Sequence, residues 1–477
     1  MLKRLKESGK WRLAAAAALL ACALAIVAGL RAYHLAPWEQ STEGVQVTLP
    51  ADMLYRISRS LDDLPASKTQ AKAEWWSREG AIAMYERLAY QAKVEAAPAR
   101  AKLAIIYGEE GYKQHASDLL AQLPTGAPDL VRAAVLLDWL YGNGQRPPSP
   151  TEAMSDVQAQ FEPWVGRIVM VRLAKANGDV AEAAKLQRED RDLRAMFLRG
   201  TVAEAGVYAA LLLLGFGALI FWFWRWMKRP SPPVPVRRPP LLKPWRAMDG
   251  IEVWAVLLVA IAAAQGIALV ARGRNVGELG LMALHVAGYA VTAALPLWII
   301  ARKTRGQTPG TAALVGIAPV RIGGLAGGVL AYAVFLASAV LAVEMVSQLG
   351  AMFGLNVPLT MIVAQTGVGA QFRGPAAAAM YGVLAVLVAP VVEETIFRGF
   401  IYAGLRRTMP VMMAVLLSAI MFATAHVGVS GAAVGGIAVL ALGLAYTYER
   451  TRNLWICIGM HMIHNLLVFA LLALAAL

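Results

Sequence analysis

Long apolar runs separated by short basic segments dominate this chain. An α-helix rises 1.5 Å per residue, so a run of about 20 apolar residues spans the hydrocarbon core of a bilayer. Nine runs have about that length: 13–30, 207–226, 251–271, 278–300, 323–348, 376–405, 410–428, 431–448 and 454–477. The pattern predicts an all-α fold, a polytopic helical membrane protein with about nine spans.

Composition and charge support that class. Of the 477 residues 58% are hydrophobic and only 16% are charged, while the net charge is +14. The basic residues lie mostly beside apolar runs, where the positive-inside rule places them on the cytoplasmic side. We therefore expect contact with membrane lipid and no nucleic-acid partner.

The first 227 residues divide into three predicted parts. Residues 1–36 form an uncleaved N-terminal membrane anchor with a cytoplasmic N-terminus, because basic residues precede the first run. Residues 37–200 form an extracytoplasmic helical domain, and residues 201–227 a second membrane helix. Breaks at Gly108 and Gly111, and at 177–179, suggest either tetratricopeptide-like repeats or an irregular bundle. Repeats would present a concave surface to a protein partner.

Residues 228–248 form a Pro/Arg-rich linker, extended because proline at that density excludes a helix. Its charge predicts a cytoplasmic segment that acts as a spacer or contacts anionic lipid. Residues 249–477 form a multi-span membrane domain. The two cysteines, Cys22 and Cys457, lie in apolar runs and indicate neither a disulfide framework nor a cysteine zinc site. Abundant Ala, Gly and Arg favours a bacterial protein of the cytoplasmic (inner) membrane.

A pair of carboxylates interrupts the run 376–405. Ionisable groups at bilayer depth cost several kcal/mol and indicate function. On an α-helix Glu393 and Glu394 point about 100° apart, whereas Glu394 and Arg398 are four residues apart and can pair. We expect Glu394 and Arg398 to support the site and Glu393 to be a general base.

Two further polar clusters follow. A turn near 409–410 is predicted, which puts Glu393 and His426 at similar depths on antiparallel helices, each roughly 24 Å from that turn. Phe422 lies one turn before His426 and is suited to pack against its ring. His461 and Asn465 are also one turn apart.

These side chains suit a hydrolytic site. A glutamate and a histidine can activate water, while a histidine and an amide can donate to an oxyanion. Alternatively, Glu393, His426 and His461 could bind zinc and leave a position open for water. No His-Glu-x-x-His segment is present.

The three motifs in this order resemble those of the CPBP family, which includes type II CAAX prenyl endopeptidases and bacteriocin-immunity proteins. The motifs are Glu393-Glu394-x-x-x-Arg398, Phe422-x-x-x-His426 and His461-x-x-x-Asn465, within residues 375–470. The resemblance implies an intramembrane endopeptidase in which Glu393 and His426 activate water, His461 and Asn465 form the oxyanion site, and no metal is bound.

Several alternatives stay open. The substrate is expected to be a membrane-associated protein or peptide rather than a lipidated CAAX protein, because bacteria generally lack prenylated CAAX proteins. A non-catalytic scaffold or immunity protein would retain the polar cluster for packing, and a transporter would use Glu and His to relay protons. If the run 431–448 spans fully, His426 and His461 approach opposite faces, so shortened or tilted helices are needed to bring them together.

Overall fold

A computed structural model describes residues 40–90, 97–123, 128–227, 245–272, 278–319, 322–352, 375–426 and 431–476. These residues are helices and short connections, with no strand among them. The predicted all-α class is therefore confirmed. Two compact units are present, one containing residues 40–206 and the end of the last helix, the other the described residues from 207 to 469.

The first unit, which we call the helical domain, consists of helices joined by short turns. Its helices are Gln40–Leu61, Lys68–Ala89, Ala97–Glu109, Lys113–Leu120, Pro128–Tyr141, Pro150–Gln160, Pro163–Ala176 and the first part of Val180–Met227. A capping box between Ser67 and Gln70 begins the second helix. The predicted breaks are observed at Gly111 and Gly178, whose positive φ values suit glycine. The break predicted at Gly108 is wrong, because that residue is buried within the helix Ala97–Glu109. The tetratricopeptide assignment remains a prediction.

The second unit, the membrane domain, begins within the long helix Val180–Met227. That helix continues without interruption across the predicted boundary between residues 200 and 201. The remaining helices are Ala247–Arg272, Glu278–Thr304, Thr311–Val315, Ile322–Met352, a composite helix over 375–408, Val411–Thr424, Gly431–Thr451 and Leu454–Ala476.

Six helices among the described residues are long and apolar enough to cross a membrane, which makes this a multi-pass membrane protein. They coincide with six of the nine predicted runs. The helix Val411–Thr424 is shorter, at 14 residues, and Gly431–Thr451 is not among the six. The run 13–30 and residues 228–244 of the predicted linker lie outside the described residues, so nine spans remain a prediction.

The composite helix over 375–408, called the bulged helix below, lies in the core of the membrane domain. Its second half is buried from Thr395 to Tyr402. Two tryptophans from the helix Ala247–Arg272 and the segment before it bond to carbonyls of this core: Trp245 Nε1 donates to Phe400 O at 2.8 Å, and Trp254 Nε1 to Met421 O at 3.0 Å. The bulged helix and the helix after it are thus held by side chains from elsewhere in the chain.

Candidate active site

The carboxylate pair lies between two π-helical segments of the bulged helix. Leu384–Val388 and Thr395–Tyr402 are π-helical and flank the α-helical turn Ala389–Glu394. In the first segment the amide of Ala389 donates to the carbonyl of Leu384, five residues back. π-bulges of this kind occur frequently at functional sites. The constant α-helical period used in the sequence argument does not hold along this helix.

Glu394 and Arg398 form the predicted pair. Arg398 Nη1 lies 2.8 Å from Glu394 Oε1, and both side chains are fully buried. The guanidinium also donates from Nη2 to the carbonyl of Ala441 at 3.2 Å and lies 4.5 Å from the centre of the Phe422 ring. A buried carboxylate and cation therefore neutralise each other, as the four-residue spacing indicates.

The same carboxylate also orients His461, which the sequence argument did not predict. His461 Nδ1 lies 2.9 Å from Glu394 Oε1, the oxygen that also accepts from Arg398. Sixty-seven residues separate the two side chains. No local spacing could reveal this bond, because it depends on the packing of the last helix against the bulged helix.

His426 lies two residues beyond the helix Val411–Thr424 and is oriented by the last turn of that helix. Its Nδ1 lies 2.8 Å from the carbonyl oxygen of Phe422, which can only accept, so Nδ1 carries a proton. In the neutral ring, Nε2 is then left with a free lone pair. The Phe422 ring packs against His426 with centroids 4.7 Å apart and meets His461 edge-on at 5.9 Å. The predicted packing of Phe422 on His426 is observed.

Glu393 faces both imidazoles. Its Oε2 lies 3.8 Å from His426 Nε2 and 4.0 Å from His461 Nε2, and its side chain is 19% exposed. These separations are too long for direct hydrogen bonds but leave Glu393 and His426 close enough to share one bridging water. A full span of residues 431–448 would place His426 and His461 near opposite faces of the membrane. Instead both imidazoles face Glu393, and the helix before His426, Val411–Thr424, is short.

One hydrogen of the Asn465 side-chain amide is used in a bond to the bulged helix. Its Nδ2 donates to the carbonyl of Ala385 in the first π-helical segment at 2.8 Å. The amide nitrogen has a second hydrogen, so one N–H remains for another acceptor. His464, on the same helix, contacts Tyr332 instead, with Nδ1 3.3 Å from the hydroxyl.

The zinc alternative fits the donor atoms but not their spacing. Glu393 and the Nε2 atoms of His426 and His461 could each donate to zinc. A tetrahedral zinc ion with bonds of about 2.0–2.1 Å places its ligand atoms about 3.3 Å apart. Glu393 Oε2 is 3.8 Å from His426 Nε2 and 4.0 Å from His461 Nε2. Within the part of the chain that the structure describes, no three His, Cys, Asp or Glu side chains are grouped to hold a metal ion.

Residues 375–467 match the family model described as type II CAAX prenyl endopeptidase Rce1-like. The matched segment is about a fifth of the chain and includes all seven residues of the three motifs. No curated protein and no solved structure matches the chain.

Proposed function

We propose that this multi-pass membrane protein is an intramembrane endopeptidase of the CPBP family, which hydrolyses a peptide bond with water activated by Glu393 and His426; the family-model match over residues 375–467 supports this. One observation carries the proposal: Glu393 Oε2 faces the Nε2 atoms of both His426 and His461. Each imidazole is in turn held at Nδ1 by a fixed acceptor. Such preorientation of a base and its partners is what general base catalysis requires.

The proposed reaction follows from the protons that His426 and Glu393 carry. Neutral His426 presents a lone pair at Nε2 and ionised Glu393 presents carboxylate oxygens, so a water between them donates both of its hydrogens. Its oxygen lone pair is then directed away from the two side chains, toward a substrate carbonyl. The water oxygen bonds to the carbonyl carbon, and Glu393 takes the proton. When the carbon–nitrogen bond breaks, that proton passes to the leaving amine.

His461 and Asn465 are the proposed donors to the oxyanion. His461 Nδ1 faces Glu394, so the ring can donate to the oxyanion only from Nε2. Donation from both nitrogens requires that each of them carries a proton. Asn465 has one amide hydrogen left after its bond to Ala385. Donors of this kind stabilise the tetrahedral intermediate more than the substrate, and removal of one typically costs about 10²–10³-fold in rate.

The substrate class follows from the setting of the site. The candidate base and imidazoles lie in the membrane domain, so the scissile bond is proposed to belong to a membrane-associated protein or peptide. The helical domain is proposed to be extracytoplasmic and to recruit a protein partner, with the chain in a bacterial inner membrane and its N-terminus cytoplasmic.

The test compares the isosteric variant Glu393→Gln with wild type in the same cells. We expect peptides with new termini from membrane proteins to appear with wild type and to be absent with the variant. Purified protein in lipid nanodiscs should then cleave peptides spanning those termini, and Glu393→Gln should lower the rate by about 10²–10⁴-fold, the usual contribution of a general base.

Glu252→Gln is the matched control. Glu252 is a partly exposed glutamate of the membrane domain that shares Lys303 with Asp249, so its loss leaves the lysine paired. The control should cleave like wild type. Identical cleavage products from wild type and Glu393→Gln would contradict the proposal and favour a non-catalytic scaffold or immunity protein. Retained proton-coupled transport in such cells would favour the transporter.

A further inference from the structure

Pro390 leaves one carbonyl of the bulged helix without a helical donor. In the segment Leu384–Val388 the amide of Ala389 bonds to Leu384 O, so it does not serve as the α-helical donor to Ala385. The next amide in this π-helical pattern, five residues after Ala385, belongs to residue 390. Proline has no N–H, so the carbonyl of Ala385 lacks a partner from its own helix.

Asn465 supplies the missing donor. Its Nδ2 lies 2.8 Å from Ala385 O, eighty residues away in sequence. A carbonyl left unpaired away from water costs free energy comparable to a lost hydrogen bond. The bond therefore links the bulge before the carboxylate pair to the helix that carries His461.

We propose that Asn465 is also a positioning residue: the amide hydrogen bonded to Ala385 O holds the proline bulge so that Glu393 and Glu394 face the histidines. This inference rests on the proposed hydrolytic function, and it gives Asn465 a role in addition to donation to the oxyanion by its second amide hydrogen. The bulge and Asn465 then depend on each other: Pro390 leaves the carbonyl of Ala385 without a helical donor, and the side-chain amide of Asn465 supplies one.

Restoring the backbone N–H tests this dependence directly. Asn465→Leu removes both amide hydrogens at similar volume and should lower kcat by about 10²-fold more than loss of an oxyanion donor alone, the scale of a small misplacement of reacting groups. In a Pro390→Ala background the amide of residue 390 can donate to Ala385 O. There the same Asn465→Leu change should remove only the oxyanion donor and lower kcat by about 10²–10³-fold relative to Pro390→Ala alone.

A residue that served only as a donor to the oxyanion would behave differently. Its loss cannot be rescued at residue 390, so an equal kcat loss in both backgrounds would overturn the inference. If Pro390→Ala does not fold, Pro390→Ser also restores the N–H and takes its place.

Thermal unfolding of the full chain in detergent separates this inference from the proposed function. Asn465→Leu should lower the unfolding temperature of the proline-containing protein, and lower it less in the Pro390→Ala background. Equal losses in both backgrounds would again contradict the positioning role. If Glu393→Gln cleaves like wild type, the hydrolase proposal fails, while the unfolding comparison still decides whether Asn465 holds the bulge.

Discussion

Each of the two units contains a buried cation close to two carboxylates, but the charges are distributed differently in the two clusters. In the helical domain Lys102 Nζ lies 2.9 Å from both oxygens of Asp52 and 2.6 Å from Glu162 Oε1. Tyr85 donates to Asp52 as well. Both carboxylates contact the cation, and the lysine side chain is fully buried. This cluster joins helices within a core, an arrangement that suits a structural role.

In the membrane domain only one carboxylate contacts the cation. Arg398 pairs with Glu394, whereas Glu393 faces the two imidazoles across gaps of 3.8 and 4.0 Å and is partly exposed. The two clusters show that a buried charge is not by itself a sign of catalysis. The carboxylate that its cation does not neutralise is the one available to water.

Lys102→Met should have the largest effect on stability. It leaves Asp52 and Glu162 buried together without their cation, and breaking a buried pair in this way costs about 3–5 kcal/mol. Denaturant titration of the full chain, monitored by limited proteolysis within the helical domain, measures the loss of unfolding free energy. The exposed Lys72 provides the control Lys72→Met. Equal midpoints for the two variants would show that the buried cluster does not stabilise the domain.

His426→Gln should have the largest effect on activity after replacement of Glu393. It removes the Nε2 lone pair that faces the Glu393 carboxylate, and we expect the cleavage rate to fall by about 10²–10³-fold. Cleavage of a peptide substrate by purified protein measures it. His115→Gln, in the exposed part of the helical domain, is the control and should cleave at the wild-type rate. Wild-type cleavage by His426→Gln would remove His426 from the mechanism.

The pH dependence of stability should distinguish Asp52 from other carboxylates. Burial raises the pKa of Asp52 from 3.8 to about 6. The folded state therefore binds this proton more tightly than the unfolded state, so the contribution of Asp52 to the free energy of unfolding increases as the pH falls from about 6 to 4.

Asp52→Asn should remove that contribution. The unfolding free energy of wild type should therefore rise relative to that of the variant as the pH falls from about 6 to 4. Denaturant titrations at several pH values measure it, with the exposed Asp118→Asn as control. Parallel pH curves for wild type and Asp52→Asn would contradict the expectation.

Within the membrane cluster the two glutamates should respond oppositely to the same change. Glu394→Gln breaks the ion pair with Arg398 and should lower the unfolding temperature. Glu393→Gln removes a carboxylate that pairs with no arginine or lysine among the described residues, so the unfolding temperature should equal or exceed that of wild type, as for other active-site replacements that trade function for stability. Thermal unfolding in detergent compares them. A lower unfolding temperature for Glu393→Gln would mean that this carboxylate is structural.

Removal of metal is expected to have the smallest effect, because the Glu393 and histidine atoms are spaced too widely for zinc. Protein purified with chelator should cleave at an unchanged rate, and elemental analysis measures its metal content. Stoichiometric zinc in wild type that disappears in His426→Ala, together with loss of activity on chelation, would establish the zinc alternative.

Local spacing was a good guide to contacts between residues four apart, even where a π-helical segment or a helix end interrupts the α-helical pattern. It correctly paired Glu394 with Arg398 and placed Phe422 on His426, and it predicted the turn at 409–410, where one helix ends at Thr408 and the next begins at Val411. It could not predict the bond from His461 to Glu394 or from Asn465 to Ala385, because 67 and 80 residues separate those partners.

The membrane class, the three motifs and the residue types that could activate water can all be read from the sequence alone. These properties follow from hydropathy, helical periodicity and side-chain chemistry, all of which are local. Tertiary contacts determine that Glu394 binds both Arg398 and His461, that the Nε2 atom of each imidazole faces Glu393, and that a distant amide holds the proline bulge. Those features depend on contacts between helices and on a departure from the α-helical period, and neither leaves a pattern along a single chain.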